Sequence, residues 1–381
     1  MRLHEGLVAK GVDSTFLCAV AKNSFSSVEV VHLGDHSILK RVLLRLGYTG
    51  IDKVEQSKKE IRSCKGDYEY YSLPFSNYRL EENELITRAD ILNFHWVSNF
   101  VDFPTFFRIK KPIVWTLHDM NPLLGGFHYG EDLLKNETNQ ELMHIERKFQ
   151  KIKSEAIAGA NLTVCSPSRW LHDASLAHPV MGQKPHHHIP YGLNTTIFRP
   201  YPQAIARQIF NLPREKKIIV FASANIGNKR KGFHLLKEAI ARIPPEEDFL
   251  VVAVGYNPNI PQEEKIVFLD PIHDEALLPL LFSAADFCAI PSIEDNLPNV
   301  MLESLCCGTP VLGFSIGGLK DVIVDGSNGF LCPTVSGEAL AATITRALRS
   351  SFDRMAISKD SIEKFDASVQ ADRYIALYNS L

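Results

Sequence analysis

The stretch "DFCAIPSIEDNLPNVMLESLCCGTPVLGFS", residues 286–315, reads as strand, helix, strand. The runs DFCAIPS (286–292) and TPVLGFS (309–315) are short and nearly continuously apolar, as strands covered on both faces are. Pro298 suits the first helical turn, where its missing N–H costs nothing, and Gly308 is a natural stop. The spacing therefore predicts a helix from about Pro298 to Gly308. Val300, Met301, Leu302, Leu305 and Cys306 surround that helix with apolar surface, and Glu303 stands among them. A buried carboxylate needs a partner or a polar ligand, and a pair of sugar hydroxyls would serve. Glu303 also lies four residues after Asn299, so the two share a face. The alternative is that residues 299 and 303 mark a solvent-exposed stripe. Two acids, Glu294 and Asp295, stand upstream, and the helix by itself does not say which of them works with Glu303.

The same alternation extends along the chain. DILNFHW (90–96), KPIVWTLHD (111–119), ANLTVCSPS (160–168) and HHHIPYG (186–192) read as strands with helical stretches between them. LNTTIFRPYP ends in Pro200 and Pro202 and reads as a linker. The pattern then restarts with strand 216–224, helix 231–243, strands 248–255 and 265–270 and helix 274–285, and after residue 315 comes helix 337–350. A βα alternation present twice predicts two doubly wound parallel-sheet domains facing a cleft, with ligands at the C-terminal ends of the strands. At 381 residues the chain also exceeds what one core usually supports. The expected division is residues 1–198, 199–360, and a helix over 361–381 returning toward the first domain.

Composition excludes several classes. A formal net charge of −3 gives no polyelectrolyte signature, so nucleic acid is not an expected partner. No apolar run approaches the length of a membrane span. Seven cysteines without a Cys-x-x-Cys pair read as small core residues in a reducing compartment. The run HHHI (186–189) carries no nearby carboxylate or cysteine, and strand alternation separates His187 from its neighbours, so no metal is expected there.

A second feature is NIGNKRKGF (225–233), again just past a strand. Arg230 and Lys231 set two cations before Gly232 and a helix, which suits a diphosphate. A solvated basic turn is the alternative. The free amides of the helix starting near Pro298 make another anion site. Two such features at equivalent strand ends imply a nucleoside diphosphate ligand. In the first half, VWTLHDM (114–120) places His118 and Asp119 past a strand, where an imidazole can orient a substrate hydroxyl. His95, His128 and His144 read as structural.

These residues resemble retaining glycosyltransferases of the GT-B fold, the group 1 family, and in particular its colanic-acid-type branch of polysaccharide biosynthesis. That family carries an acid, seven residues, then Glu, followed by a CGTPV-like run. Here Asp295 and Glu303 have the spacing and CCGTPVLGF follows, so Asp295 is in register and Glu294 is one residue out. WTLHDMNPLLGGFHY, NKRKGFHLL and IPYGLNTTIFRP also match in order. The resemblance implies that Glu303 accepts hydrogen bonds from the nucleotide ribose. It implies that Asp295 and the amides of Asn296, Leu297, Pro298 and Asn299, proline lacking an N–H, hold the donor sugar and its phosphates. Lys231, helped by Arg230, would neutralise the leaving group, and His118 would contact the donor sugar.

The implied enzyme is a metal-independent, anomer-retaining hexosyltransferase with no cofactor besides a nucleotide-sugar donor. Its acceptor would be a glycan or lipid-linked acceptor in cell-surface polysaccharide biosynthesis, such as that of exopolysaccharide or lipopolysaccharide. The implied location is cytoplasmic, with peripheral contact at the inner membrane face. Its rivals are a sugar-nucleotide epimerase on the same fold and a catalytically impaired paralogue that only binds nucleotide. One departure concerns the start. MRLHEGLVAKG reads as a helix with Leu3 and Leu7 on one face, whereas the resembling family places a strand and a glycine-rich loop before it. The expectation is a slot in the first parallel sheet, with unpaired backbone groups beside it.

Overall fold

The computed structural model describes residues 1–21, 28–31, 52–257, 260–261 and 263–381. Two compact units divide the chain. The N-terminal unit comprises Met1, Leu7–Ile189 and Ile375–Leu381, and the C-terminal unit comprises Arg2–Gly6 and Pro190–Tyr374. The division falls between Ile189 and Pro190 rather than at 198/199, because the intervening segment folds onto the C-terminal unit. The Leu193 amide donates to the Phe365 carbonyl at 2.7 Å, the Ala367 amide donates to the Leu193 carbonyl at 2.8 Å, and Leu193 and Phe198 are fully buried. A single helix over 361–381 is likewise corrected. Helices Arg354–Phe365 and Ala367–Tyr378 break at Asp366, whose backbone is extended.

In the N-terminal unit, β1 (Phe16–Cys18) and β2 (Val28–Val30) pair in parallel as a two-stranded sheet. A separate all-parallel sheet runs β3 (Leu92–Phe94), β4 (Ile113–Thr116), β5 (Leu162–Ser166), β6 (His186–His188) in that order. Among the described residues no strand joins the two sheets, although Leu17 and Val31 pack against the core of the larger one. That core is aromatic-rich, with Trp115 stacked on Phe107 and beside Phe94 and Phe103. The opening helix forms as Arg2–Ala9, with Leu3 and Leu7 buried and Gly11 in the left-handed conformation after it (φ 80°).

The C-terminal unit holds one six-stranded sheet in the order β12 (Gly329–Cys332), β11 (Val311–Phe314), β10 (Phe287–Ile290), β7 (Lys217–Asn225), β8 (Phe249–Tyr256), β9 (Ile266–Leu269), every pair parallel. Alternate side chains feed two cores. Ile218 and Val220 lie in one with Leu302 and Leu305, while Ile219 and Phe221 lie in the other with Leu340 and Ile344. Both faces are covered, which is why these strands read as unbroken apolar runs.

Two elements differ from expectation. Residues 274–285 form a 3-10 turn, Glu275–Leu277, before the α-helix starts at Leu278. Pro298 is not inside a helix but caps one, Asn299–Cys306, with ψ at 125°. The chain order β7, β8, β9 builds outward on one side of β7, and β10 then returns to its other side. The reversal between β7 and β10 is the switch point at which doubly wound sheets bind ligands.

Candidate functional site

Both stretches expected to bind anions sit at this reversal. Residues 226–232 follow β7, and residues 291–299 follow β10. The chain laces the two turns together. The Ile293 amide donates to the Arg230 carbonyl at 2.8 Å, and Arg230 Nη1 donates to the Glu294 carbonyl at 3.0 Å. Gly232 has φ of 73°, and a Cβ there would come within 1.7 Å of the Pro291 carbonyl oxygen. A side chain is thus excluded both by the backbone conformation and by the close approach. On the other flank, the Gly318 amide donates to the Asn296 carbonyl at 2.6 Å, and Gly317 (φ 46°) leaves room for the Asp295 carbonyl.

Asp295 Oδ2 accepts from Lys231 Nζ at 2.6 Å and from Ser292 Oγ at 3.2 Å, with Arg230 Nη1 at 4.0 Å. Asp295 and Lys231, expected to act on one ligand, therefore adjoin each other. Asn296, Leu297 and Pro298 are buried and Asn299 is exposed. Glu303 is only 6% exposed, so residues 299 and 303 do not form a solvent-facing stripe.

The cation beside Glu303 comes from 301 positions away in sequence. Arg2 Nη2 donates to Glu303 Oε1 and to Glu275 Oε1, each at 2.8 Å. Burial pushes the Glu303 carboxyl above its usual range, and the Arg2 charge and hydrogen bond pull it back. Arg2 sits in the segment Arg2–Gly6 that clusters with the C-terminal unit. Sequence reading had no signal for it, since neither spacing nor periodicity links residues so far apart.

In the N-terminal unit, His118 follows β4 and lies 2.9 Å from His95 through Nε2 and Nδ1. Burial is the first cause of a depressed pKa in both rings, to about 4 for His118 and well below the usual value for His95. The pair is neutral at pH 7, so one ring donates and the other accepts. Asp119 Oδ2 lies 2.6 Å from His128 Nδ1 and accepts from Trp96 Nε1 at 3.0 Å, while His128 Nε2 lies 2.7 Å from Ser72 Oγ. His128 is thus a buried hydrogen-bonded histidine.

A second missed constellation shapes the loop after His118. Glu146 accepts from the amides of Gly125 (2.5 Å) and Gly126 (2.7 Å) and from Tyr71 Oη (3.0 Å). Lys153, fully buried with its pKa lowered by burial to about 7, donates to the carbonyls of Asn121 and Leu124. Both side chains project from one helix, Gln140–Ala158, seven residues apart and two turns along one face.

The histidine pair makes a pH prediction. A group whose folded pKa lies below its unfolded value contributes stability that is full above the unfolded pKa and lost as pH falls through the folded one. The stability held by His118 should therefore fade from about pH 6.5 down to about pH 4. His118→Asn should flatten that part of a plot of melting temperature against pH, and superimposable slopes for the two proteins would contradict it.

The two parallel-sheet, Rossmann-like units are those of the GT-B fold, and solved structures of that fold align over nearly the whole chain. Sucrose-phosphate synthase from Thermosynechococcus elongatus aligns with a TM-score of 0.69 at 19% identity, covering 100% of this chain and 91% of that one. Anabaena Alr3699/HepE in complex with UDP and glucose aligns with a TM-score of 0.62 at 16% identity, covering 96% and 99%.

Residues 216–350, the core of the C-terminal unit, match the family described as Glycosyl transferases group 1. Among curated relatives, D-inositol 3-phosphate glycosyltransferase of Thermobispora bispora is 26% identical over 317 residues, which is 76% of this chain and 70% of the relative. The protein of the same name from Mycolicibacterium smegmatis is 25% identical over 311 residues, 76% of this chain and 67% of the relative. Among the described residues, no helix is long and apolar enough to cross a membrane.

Proposed function

We propose that this protein is a glycosyltransferase that moves a sugar from a nucleoside diphosphate sugar to a glycan or lipid-linked acceptor, with retention at the anomeric carbon. One observation carries the reading. Arg230 and Lys231 past β7 meet Asp295 and the helix bearing Glu303 past β10, at the point where the sheet order reverses. Two cations, a helix N-terminus and a buried carboxylate at that point suit a diphosphate, its sugar and a ribose.

In this reading Glu303 accepts from the ribose hydroxyls, and Asp295 with the amides of residues 296, 297 and 299 holds the donor sugar and phosphates. Lys231 and Arg230 take up the charge that grows on the leaving diphosphate. His118, neutral at pH 7, would contact the donor sugar near the reacting centre. With lysine and arginine at the phosphates, the reaction needs no metal and no cofactor beyond the donor. Retention would follow from front-face attack, the departing phosphate taking the acceptor proton while the protein positions both and stabilises charge. The group 1 match over residues 216–350 and the UDP and glucose bound by Alr3699/HepE support a nucleotide-sugar donor. The relatives' name points to a sugar alcohol phosphate as a further acceptor class to test. Cell-surface polysaccharide biosynthesis, and peripheral contact with the cytoplasmic membrane face, are the proposed setting.

The reaction itself is the test. The protein should release nucleoside diphosphate from one of UDP-, GDP- or ADP-glucose only when a glycan, a lipid-linked glycan or inositol phosphate is present, and the product should keep the donor's anomeric configuration. Release of an epimerised sugar without acceptor would replace this reading with the epimerase. Binding without turnover on any acceptor would point to an impaired paralogue.

A further inference from the structure

We infer that Arg2 is a positioning residue for the nucleotide site: its guanidinium fixes one oxygen of Glu303 and leaves the other to accept from the ribose. The inference rests on the ribose role proposed above for Glu303. Its geometry is all within the C-terminal unit. Arg2 Nη2 takes Glu303 Oε1, and among the described residues no hydrogen bond to Oε2 is present. The same nitrogen bridges to Glu275 on the turn before helix Leu278–Ala284, and the guanidinium lies 5.4 Å from the Phe198 ring centroid.

The arginine is not held by its charge alone. Leu3 and His4 are buried beside it. One turn further on, Gly6 lies so close to helix Ala367–Tyr378 that a Cβ would come 3.1 Å from the Ala367 carbonyl and 3.3 Å from Ala371 Cβ. Packing of the segment Arg2–Gly6 therefore delivers the cation to Glu303.

The charges facing Glu303 show what the cation does. Arg2 comes from the opening helix and Glu275 from the 3-10 turn. The Cys288, Cys306 and Cys307 thiols lie on the strand, the helix and the helix's C-terminal cap around it, all pushed toward the neutral form mainly by burial. Arg2 is thus the cation acting on a buried carboxyl that also feels the negative Glu275. Without it, Glu303 would hold a proton to higher pH. A protonated acid donates from one oxygen and accepts less well at the other, so it is a poorer receptor for two donating hydroxyls.

The experiment titrates the full chain calorimetrically with UDP, GDP and ADP between about pH 5 and 8. It compares the unaltered protein with R2M, R2K, E303Q and the R2M/E303Q double variant. The unaltered chain should bind one of the three with affinity nearly constant over the upper part of that range. R2M should bind it roughly tenfold or more weakly at neutral pH and lose further affinity as pH falls, with a higher midpoint. R2K should recover part of the affinity and bring the midpoint back down. E303Q should be weak without that pH dependence, and adding R2M to it should change binding little.

If Arg2 were only a staple, R2M would melt at lower temperature but keep the unaltered pH profile, which would overturn the inference alone. Should R2M not fold, R2Q takes its place, and an R2Q profile identical to the unaltered one would do the same. Failure of the unaltered chain to bind any of the three at any pH would instead overturn the functional reading, and the inference with it.

Discussion

Lys231→Ala is expected to lower turnover by ~10²–10³-fold, while Glu294→Ala leaves it within severalfold. The contrast follows from where each charge lies. Lys231 Nζ is 2.6 Å from Asp295 Oδ2, at the mouth of the β7–β10 reversal, where a leaving diphosphate would gain negative charge. A cation held there by its carboxylate is already in place and pays little reorganisation as that charge develops. Its removal also leaves Asp295 with Ser292 and the more distant Arg230. Glu294 contributes its main-chain carbonyl to Arg230, and truncating the side chain leaves that contact intact. Steady-state release of nucleotide measures both variants. Comparable losses would reverse the register that assigns Asp295, rather than Glu294, to the site.

The second large effect is structural. Gly232→Ala should lower the denaturation midpoint of the C-terminal unit sharply and abolish nucleotide binding. The left-handed backbone alone costs a non-glycine residue about 1–2 kcal/mol. Gly326 isolates that term, for it has φ of 76°, and the nearest atom to an added Cβ is 3.9 Å away. Gly232 adds an approach of 1.7 Å to the Pro291 carbonyl oxygen, which is backbone and cannot swing aside. Relief requires the 225–232 turn to part from the 291–295 turn, and that parts the two halves of the proposed site. Denaturant melts of the two alanine variants should differ by more than about 2 kcal/mol. Equal destabilisation would mean that the turns separate at little cost.

Much of this was legible in the sequence, for a physical reason. Strands such as Ile113–Thr116 and Phe287–Ile290 are buried on both faces, so every position is apolar and the run is visible. The reversal site was visible because glycine, proline and charge are concentrated where backbone must turn and anions can bind. β12 was missed: four residues at the edge of the sheet, after a polar turn, leave too short a pattern. The position of Pro298 was read one step too far into the helix, since proline suits a cap and the first turn alike.

Side-chain partners were less legible than elements. His118 was picked out, but its bond to His95 depends on β3 and β4 lying side by side in register. The clamp of Glu146 on Gly125 and Gly126 needs a helix returning over a loop, and no local pattern encodes that return. Arg2 is the extreme case. Asp295 looked like the natural companion of Glu303 because the two stand in one motif, yet in the fold each acid has its own cation, Lys231 for one and Arg2 for the other.

The central claim is that residues 230–231 and 295–303 form one nucleoside diphosphate sugar site. A thermal-shift screen of the unaltered chain against UDP-, GDP-, ADP- and CMP-sugars, repeated with Lys231→Ala and Glu303→Gln, tests it most directly, because a ligand that binds the folded state raises its melting temperature by mass action. The account predicts saturable stabilisation of the unaltered chain by at least one of these sugars, and a shift reduced in both variants at the same ligand concentration. No stabilisation by any of them, or an equal shift in all three proteins, would contradict it.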